Sequence, residues 1–120
     1  MSENQGFKDL IVWQKGMELV QLIYDLCDHL PKLEQYILVS QMLRAAISIP
    51  SNIAEGWSRH RKLEFIRFLE ISFASCCELE TQVLICQSRY KEFRYEKILT
   101  LIVEIKKMTT KLIQHQNAAI

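Results

Sequence analysis

Five polar side chains recur at steps of three and four between positions 41 and 55: Gln41, Arg44, Ser48, Ser51 and Glu55. Asn52 lies beside them and Arg59 follows. On a helix this spacing sets them along one flank. Such a line can hold a polar ligand, meet a neighbouring subunit, or close on itself as hydrogen bonds and ion pairs that fix helix register. An arginine near a core needs a partner, or it costs several kcal/mol. Candidate partners downstream are Glu64, Glu78 and Glu80, with Thr81 and Gln82 nearby. The residue types favour a structural or interface network of Gln41, Arg44, Ser48, Asn52, Glu55 and Glu78.

Other constellations carry less chemistry. The histidines are His29, His60 and His115, and none has Glu or Asp three positions before it. That spacing is what a carboxylate-bridged di-metal bundle requires. Asp25 and His29 are four apart, but two groups do not close a metal site. The cysteines, Cys27, Cys76, Cys77 and Cys86, lack C-x-x-C spacing and sit in apolar patterns. They read as reduced core thiols of a cytoplasmic protein. There is no G-x-S-x-G, no phosphate loop and no dinucleotide fingerprint. The expectation is therefore no catalytic residues, no metal and no cofactor.

Basic residues form two groups. If four helices run up and down, the link between the second and third shares an end with both termini. That end collects Arg59, Arg61, Lys62, Lys107 and Lys111, together with Lys8 and Lys15. Asp9, Glu55 and Glu64 leave a modest positive excess there. These five cations are the candidate contacts for nucleic-acid phosphates. The opposite end holds Arg89, Lys91, Arg94 and Lys97 among Tyr90, Phe93 and Tyr95. Cations interleaved with rings suit single-stranded nucleic acid, but Asp25, Asp28 and Glu34 offset that end. The plainer reading is solvated link residues whose rings pack on helix ends.

The elements that position these groups follow from pattern. The chain has 120 residues, a net charge of +1, 49% hydrophobic residues, three glycines and two prolines. That is one domain with few breakers and long elements. A near-neutral chain is not a strong non-specific nucleic-acid binder over its whole surface. Residues 1–8 are expected to be a polar tail rather than a signal peptide. No run of about 18 apolar residues is seen, so no membrane span is expected. The bundle is expected over 9–116, with 117–120 frayed.

Asp9 is a plausible N-cap for a first helix ending near Leu30, before Pro31. This helix carries two apolar seams: Val12, Gly16, Leu19, Ile23, Leu26 and Leu30, and beside them Trp13, Met17, Val20, Tyr24 and Cys27. Two seams exceed what a small monomer easily covers, which motivates an oligomer and, equally, a first helix that is simply well buried. The second helix starts near Tyr36 and is expected to kink at Pro50 rather than break, because its apolar period continues to Ile53. Gly56 and the segment WSRHRK mark the next turn. A third helix spans 62–89 with core line Phe65, Leu69, Ser72, Cys76, Leu79, Val83, Cys86 and Tyr90. A fourth runs 95–116 on Ile98, Leu101, Ile105, Met108 and Leu112, with Ile102 and Ile113 beside them. Short links and the near absence of strand signals give an all-α fold, an antiparallel up-down-up-down four-helix bundle.

The stretch QMLRAAISIPSNIAEG, at 41–56, resembles the signature of the four-helix-bundle proteins encoded within 23S ribosomal RNA intervening sequences. LIVWQKGMELV, LEFIRFLEIS and SCCELETQV agree in order, so the resemblance covers roughly residues 7 to 115. The motif falls on Trp13, Gln14, Gln41, Arg44, Ser48, Pro50, Asn52, Ala54, Glu55, Gly56 and Arg59. It continues on Glu64, Phe65, Phe68, Leu69, Ser75, Glu78, Leu79 and Thr81. Three departures stand out. Leu43 replaces a second basic residue before Arg44. Arg61 replaces the Ser or Thr that would cap the third helix, so a looser start is expected. Ser72 and Ala74 replace the usual alanine and glycine, which alters close packing there.

The resemblance implies a left-handed bundle that assembles as a ring, usually a pentamer, with no recognised enzymatic activity. Accessory proteins of diversity-generating retroelements resemble this fold and have been linked to reverse transcriptase and nucleic acid. The expected function is a non-enzymatic, cytoplasmic homo-oligomer that binds RNA or DNA through one basic end. The alternative is an assembly module whose partner is a protein such as a reverse transcriptase.

Overall fold

The computed structural model describes residues 6–118. Among them there are four α-helices and no strand: α1 Ile11–Asp28, α2 Ser40–Ser58, α3 Lys62–Arg89 and α4 Glu96–Ala118. The third helix has the bounds its pattern predicts. The fourth runs two residues beyond its expected end, so residues 117 and 118 continue it. Residues 1–5 of the expected tail and residues 119–120 of the expected frayed end lie outside the described residues.

The N-terminal boundary differs from expectation. Gly6–Asp9 form a 3-10 turn, and the N-cap of α1 is Leu10, an extended residue with no side-chain cap. Asp9 is therefore inside a turn instead of capping the helix. The reason is apolar: Phe7 stands edge-on to Trp13 at 5.4 Å between ring centroids, and Gly6 lies against Trp57. Burying the Phe7 ring favours folding these residues onto the bundle over leaving them in water.

The core takes one residue line from each helix. On α1, Val12, Gly16, Leu19, Ile23 and Leu26 are buried. The second α1 seam divides: Val20 is buried, but Met17 and Tyr24 keep 40% and 43% of their surface. On α2 the core is Met42, Ala45, Ala46, Ile49 and Ile53, and on α3 it follows the predicted line from Phe65 to Cys86, with Tyr90 half-buried. On α4, Thr109 is buried where the pattern pointed to Met108, which is half-buried; the Thr109 hydroxyl donates to Ile105 O at 2.7 Å. That bond removes the cost of burying the hydroxyl.

Each helix packs on its neighbours in sequence, and α4 also packs on α1. The α2–α3 seam is the most extensive. Along it Gly56 meets Phe65 and Phe68, Ile49 meets Ser72, Ser48 meets Ser75 and Gln41 meets Gln82. Positions rise on one helix as they fall on the other.

The segment before α2 is irregular. A 3-10 turn, Lys32–Glu34, runs into a π-helical turn, Gln35–Val39. The wider turn shifts side chains out of the α2 register, so Leu33, Tyr36 and Ile37 stay exposed while Leu38 is buried. Ser40–Ser58 then continues through Pro50 without interruption. Gly16 of α1 makes room for that proline: a Cβ there would stand 3.3 Å from Pro50 Cβ. Lys32–Ser58 also reaches the length and mean hydropathy, 1.2, of a membrane span. Its apolar side is the bundle core.

The turn falls within the expected WSRHRK segment, past Gly56. Gly56 lies inside α2, where α3 comes closest. The turn follows at His60, whose φ of 57° places a non-glycine residue in the left-handed region. Arg59 N–H and His60 N–H close the helix end on Gly56 O and Trp57 O. As expected, α3 begins without a side-chain cap at Arg61.

Two stability predictions follow from this geometry. A Cβ on Gly56 would stand 2.6 Å from Phe68 Cβ and 3.2 Å from Phe65 Cδ1. Gly56→Ala gains roughly 1 kcal/mol of helix propensity, but Phe68 Cβ is fixed to a helix backbone and cannot yield. A net loss of about 1–3 kcal/mol is expected, seen as a lower urea midpoint; a stabilised variant would refute the close approach. His60→Gly relieves the left-handed strain and should raise stability by about 0.5–1 kcal/mol in the same assay.

Candidate functional site

The polar line on α2 turns largely onto its own backbone. Ser48 Oγ donates to Ala45 O at 2.9 Å, Ser51 Oγ to Ile47 O at 2.7 Å, and Asn52 Nδ2 to Ser48 O at 2.7 Å. From α3, Ser72 Oγ donates to Ile49 O at 3.1 Å, and Ser48 and Ser75 share a hydroxyl bond of 2.5 Å. Four carbonyls flanking Ala46, those of residues 45, 47, 48 and 49, thus receive side-chain donors. Ala46 is the residue whose helical partner N–H the Pro50 ring eliminates. The cluster surrounds the one place where α2 must tolerate proline. Side-chain bonds to helix carbonyls of this kind accompany bending.

The rest of the expected network does not assemble as one unit. Gln41 accepts from Gln82 Nε2 at a long 3.4 Å. Glu55 pairs with Arg59 at 2.8 Å, one turn along the same helix. Arg44 and Glu78 are exposed and belong to none of the ion pairs among the described residues. Arg44 needs no internal partner because water solvates it, which the periodicity alone did not reveal.

At the end bearing the α2–α3 turn, the candidate cations take three different situations. Arg59 is committed: its guanidinium binds Glu55, which raises its pKa above the usual value, and it lies 5.2 Å from the Phe68 ring centre. Arg61 and Lys62 line a pocket of about 230 Å³ with Trp57, His60, Phe65 and Gln116. Trp57 and Phe65 meet edge to face at 5.9 Å. Lys107 and Lys111 are exposed on α4 and do not line that pocket. The structure therefore joins two of the five cations to a tryptophan and a histidine.

The opposite end holds the largest cavity, a groove of about 1440 Å³ between α1 and α4. Its wall interleaves Lys91, Arg94 and Lys97 with Glu92, Glu96 and Asp25. With Lys15, Glu18 and Glu104 added, the lining has five acids to four bases, so this wall has no preference for phosphate. The rings here are occupied with structure. Tyr95 is buried, with its hydroxyl donating toward Tyr90 O at 2.6 Å, and Tyr90 donates to Glu34 at 2.5 Å. Phe93 packs near both Tyr90 and His29. The groove mouth is crossed by an ion pair between Lys15 and Glu104, and a second pair joins Lys106 to Glu80 across α3 and α4.

The four thiols are free. Burial pushes Cys76 and Cys27 up to about 12, so both are protonated and poorly nucleophilic at neutral pH. Among the described residues no three His, Cys, Asp or Glu side chains converge as a metal site.

One buried acid escaped the sequence pattern. Glu34 retains 4% of its surface, under Tyr90 from a link 56 residues away. Periodicity marks residues within helices, and both partners lie at helix ends.

The model of the family described as 23S rRNA-intervening sequence protein matches residues 8–111. A similar solved structure is a protein of unknown function from the S23 ribosomal protein family of Bacteroides thetaiotaomicron. It has a TM-score of 0.78 and 26% identity, covering 86% of this chain and 98% of that one. Among curated proteins none matches. With 104 consecutive positions matched from helix α1 to helix α4, this chain belongs to the 23S rRNA-intervening sequence protein family.

Proposed function

We propose that this protein is a non-enzymatic, cytoplasmic RNA-binding homo-oligomer whose RNA contact is the end bearing the α2–α3 turn. The observation that carries the reading is the pocket there, where Arg61 and Lys62 stand with Trp57 and His60. Cations pair with phosphates while an indole or imidazole stacks on an unpaired base. Lys107 and Lys111 extend the positive surface along α4 without entering the pocket. His60 contributes its ring through a strained backbone, and strain of that kind tends to collect at functional positions.

The assembly we propose is a ring, a pentamer by resemblance, of left-handed up-down-up-down bundles with α2 kinked at Pro50. Support for the bundle order comes from the falling and rising contact positions along α2 and α3. Support for the kink comes from the side-chain bonds to the carbonyls around Ala46. Support for the ring comes from the outer α1 seam, where Met17 and Tyr24 stay 40% and 43% exposed, and from Ile47 on α2 at 41%. Repetition around an axis multiplies a modest basic patch, so a chain of net charge +1 can bind a polyanion.

The RNA reading is tested by filter binding of single-stranded RNA across a salt series. Arg61→Ala/Lys62→Ala should weaken binding at least ~10-fold and flatten the log–log salt slope by about 1.4 per protomer. Lys107→Ala/Lys111→Ala should weaken it less. Absence of RNA retention by the wild type at low salt defeats the proposal. The assembly is tested by light scattering: wild type should exceed monomer mass at micromolar concentration, and Met17→Glu/Tyr24→Glu should lower that mass with helicity retained. A wild-type monomer rejects it.

A further inference from the structure

We propose that the notch between the start of α2 and the end of α3 is a binding site for an extended aliphatic diamine, gripped at both ends. The notch has a volume of about 360 Å³, within the range of small-ligand sites. Three aliphatic side chains form its rim and remain exposed: Leu33 at 67%, Ile37 at 52% and Ile85 at 48%. Ile37 lies in the π-helical turn Gln35–Val39, Leu33 in the 3-10 turn before it and Ile85 on α3; π-helical turns recur at functional positions.

Its polar groups are chiefly acceptors. Gln82 lines the notch and is 8% exposed, yet its Oε1 has no hydrogen-bond partner among the described residues. A buried acceptor left unpaired is costly, and a donor reaching it recovers that cost. Glu34, 4% exposed, lies at the other end of the notch. Tyr90 binds its Oε2, and Arg89 Nε approaches the same oxygen only to 3.9 Å. The Arg89 guanidinium is instead held over the Tyr90 ring at 5.9 Å. Oε1 is left for a ligand, and an ammonium in contact there outcompetes a distant, largely solvated guanidinium.

Spacing selects the ligand length. Gln41, the hydrogen-bond partner of Gln82, follows Glu34 by seven residues, roughly 10 Å along a helix. Glu78 lies one turn from Gln82 on the same face of α3, is exposed, and belongs to none of the ion pairs among the described residues. The notch lining thus reads as acid, aliphatic wall and amide acceptor, with Glu78 beyond it. An α,ω-diamine of about eight carbons matches that order: an ammonium at each end and methylenes against Leu33, Ile37 and Ile85. An anion has only Arg89 and the Gln41 amide to meet it.

The test is NMR titration of methyl-labelled full-length protein with 1,8-diaminooctane, with n-octylamine as the one-ended control. Saturable shifts are expected at Leu33, Ile37 and Ile85, with octylamine at least ~10-fold weaker. Glu34→Gln, which still accepts from Tyr90, and Gln82→Met should each weaken the diamine at least ~10-fold while leaving the thermal melt near wild type. Three results would overturn the proposal. They are no saturable shift below about 10 mM, equal binding of octylamine, or unchanged binding in both variants. A rim already covered by a second copy gives the first of these.

Discussion

Placing a proline in the most buried helix is the constraint from which the rest of the structure follows. Pro50 is buried, carries no N–H for Ala46 O, and crowds that carbonyl with its ring. In a helix interior this costs about 3 kcal/mol or more. The chain answers with geometry and with donors. Gly16 lets α1 lie against the ring. Ser48, Ser51, Asn52 and Ser72 supply hydroxyl and amide donors to the carbonyls on either side of Ala46. The close approach of α3 then becomes necessary, because Ser72 and Ser75 must reach α2 from it. Gly56 allows that approach at the far end of the seam. What reads in one dimension as a polar stripe and a set of small residues is in three dimensions the local compensation for one imino acid.

Much of this architecture is legible in the sequence, and the failures have physical causes. The four helices follow from apolar spacing, and α3 from 62 to 89 coincides with its pattern because nothing inside it competes with helix. Boundaries fail where a side chain prefers tertiary contact to local structure. Phe7 drags Gly6–Asp9 into a turn against Trp13, so Asp9 loses its capping role. The π-helical turn before Ser40 carries no signal in periodicity, since one extra residue per turn is indistinguishable from a helix that begins later. Gly56 resembles a helix terminator, but its missing Cβ serves the approach of Phe68. The true terminator is His60, a residue type that enters the left-handed region at a cost.

The candidate site was less legible than the fold for a different reason. A periodic polar line says which face a residue occupies, not whether water or protein lies opposite. Arg44 shares a flank with Ser48 and Asn52, yet it points to solvent while they bond inward. Likewise, five cations at one end are equivalent in sequence, but Arg59 is tied to Glu55 and Phe68 while Arg61 and Lys62 stand at a pocket with Trp57. Glu34 and Gln82, 48 positions apart in the chain, enter one notch through the pairing of link with helix end.

These distinctions bear on how a nearly neutral protein could recognise a polyanion. Fully paired cations do little for binding, because engaging a phosphate requires breaking an existing pair. Lys15, Arg59 and Lys106 are all in ion pairs, and Lys91, Arg94 and Lys97 face acids across one groove. Arg61 stands beside rings at the α2–α3 turn, in a pocket it shares with Lys62, Trp57 and His60. That turn is set by the same helix that Pro50 constrains: α2 must end where Trp57 can meet Phe65, and His60 must turn sharply for α3 to return against Gly56. The pocket at the tip and the close packing along the seam are thus two consequences of one helix path. A change that relaxes the seam should therefore displace the tip as well, because Gly56 and Phe65 of the seam also line the pocket there.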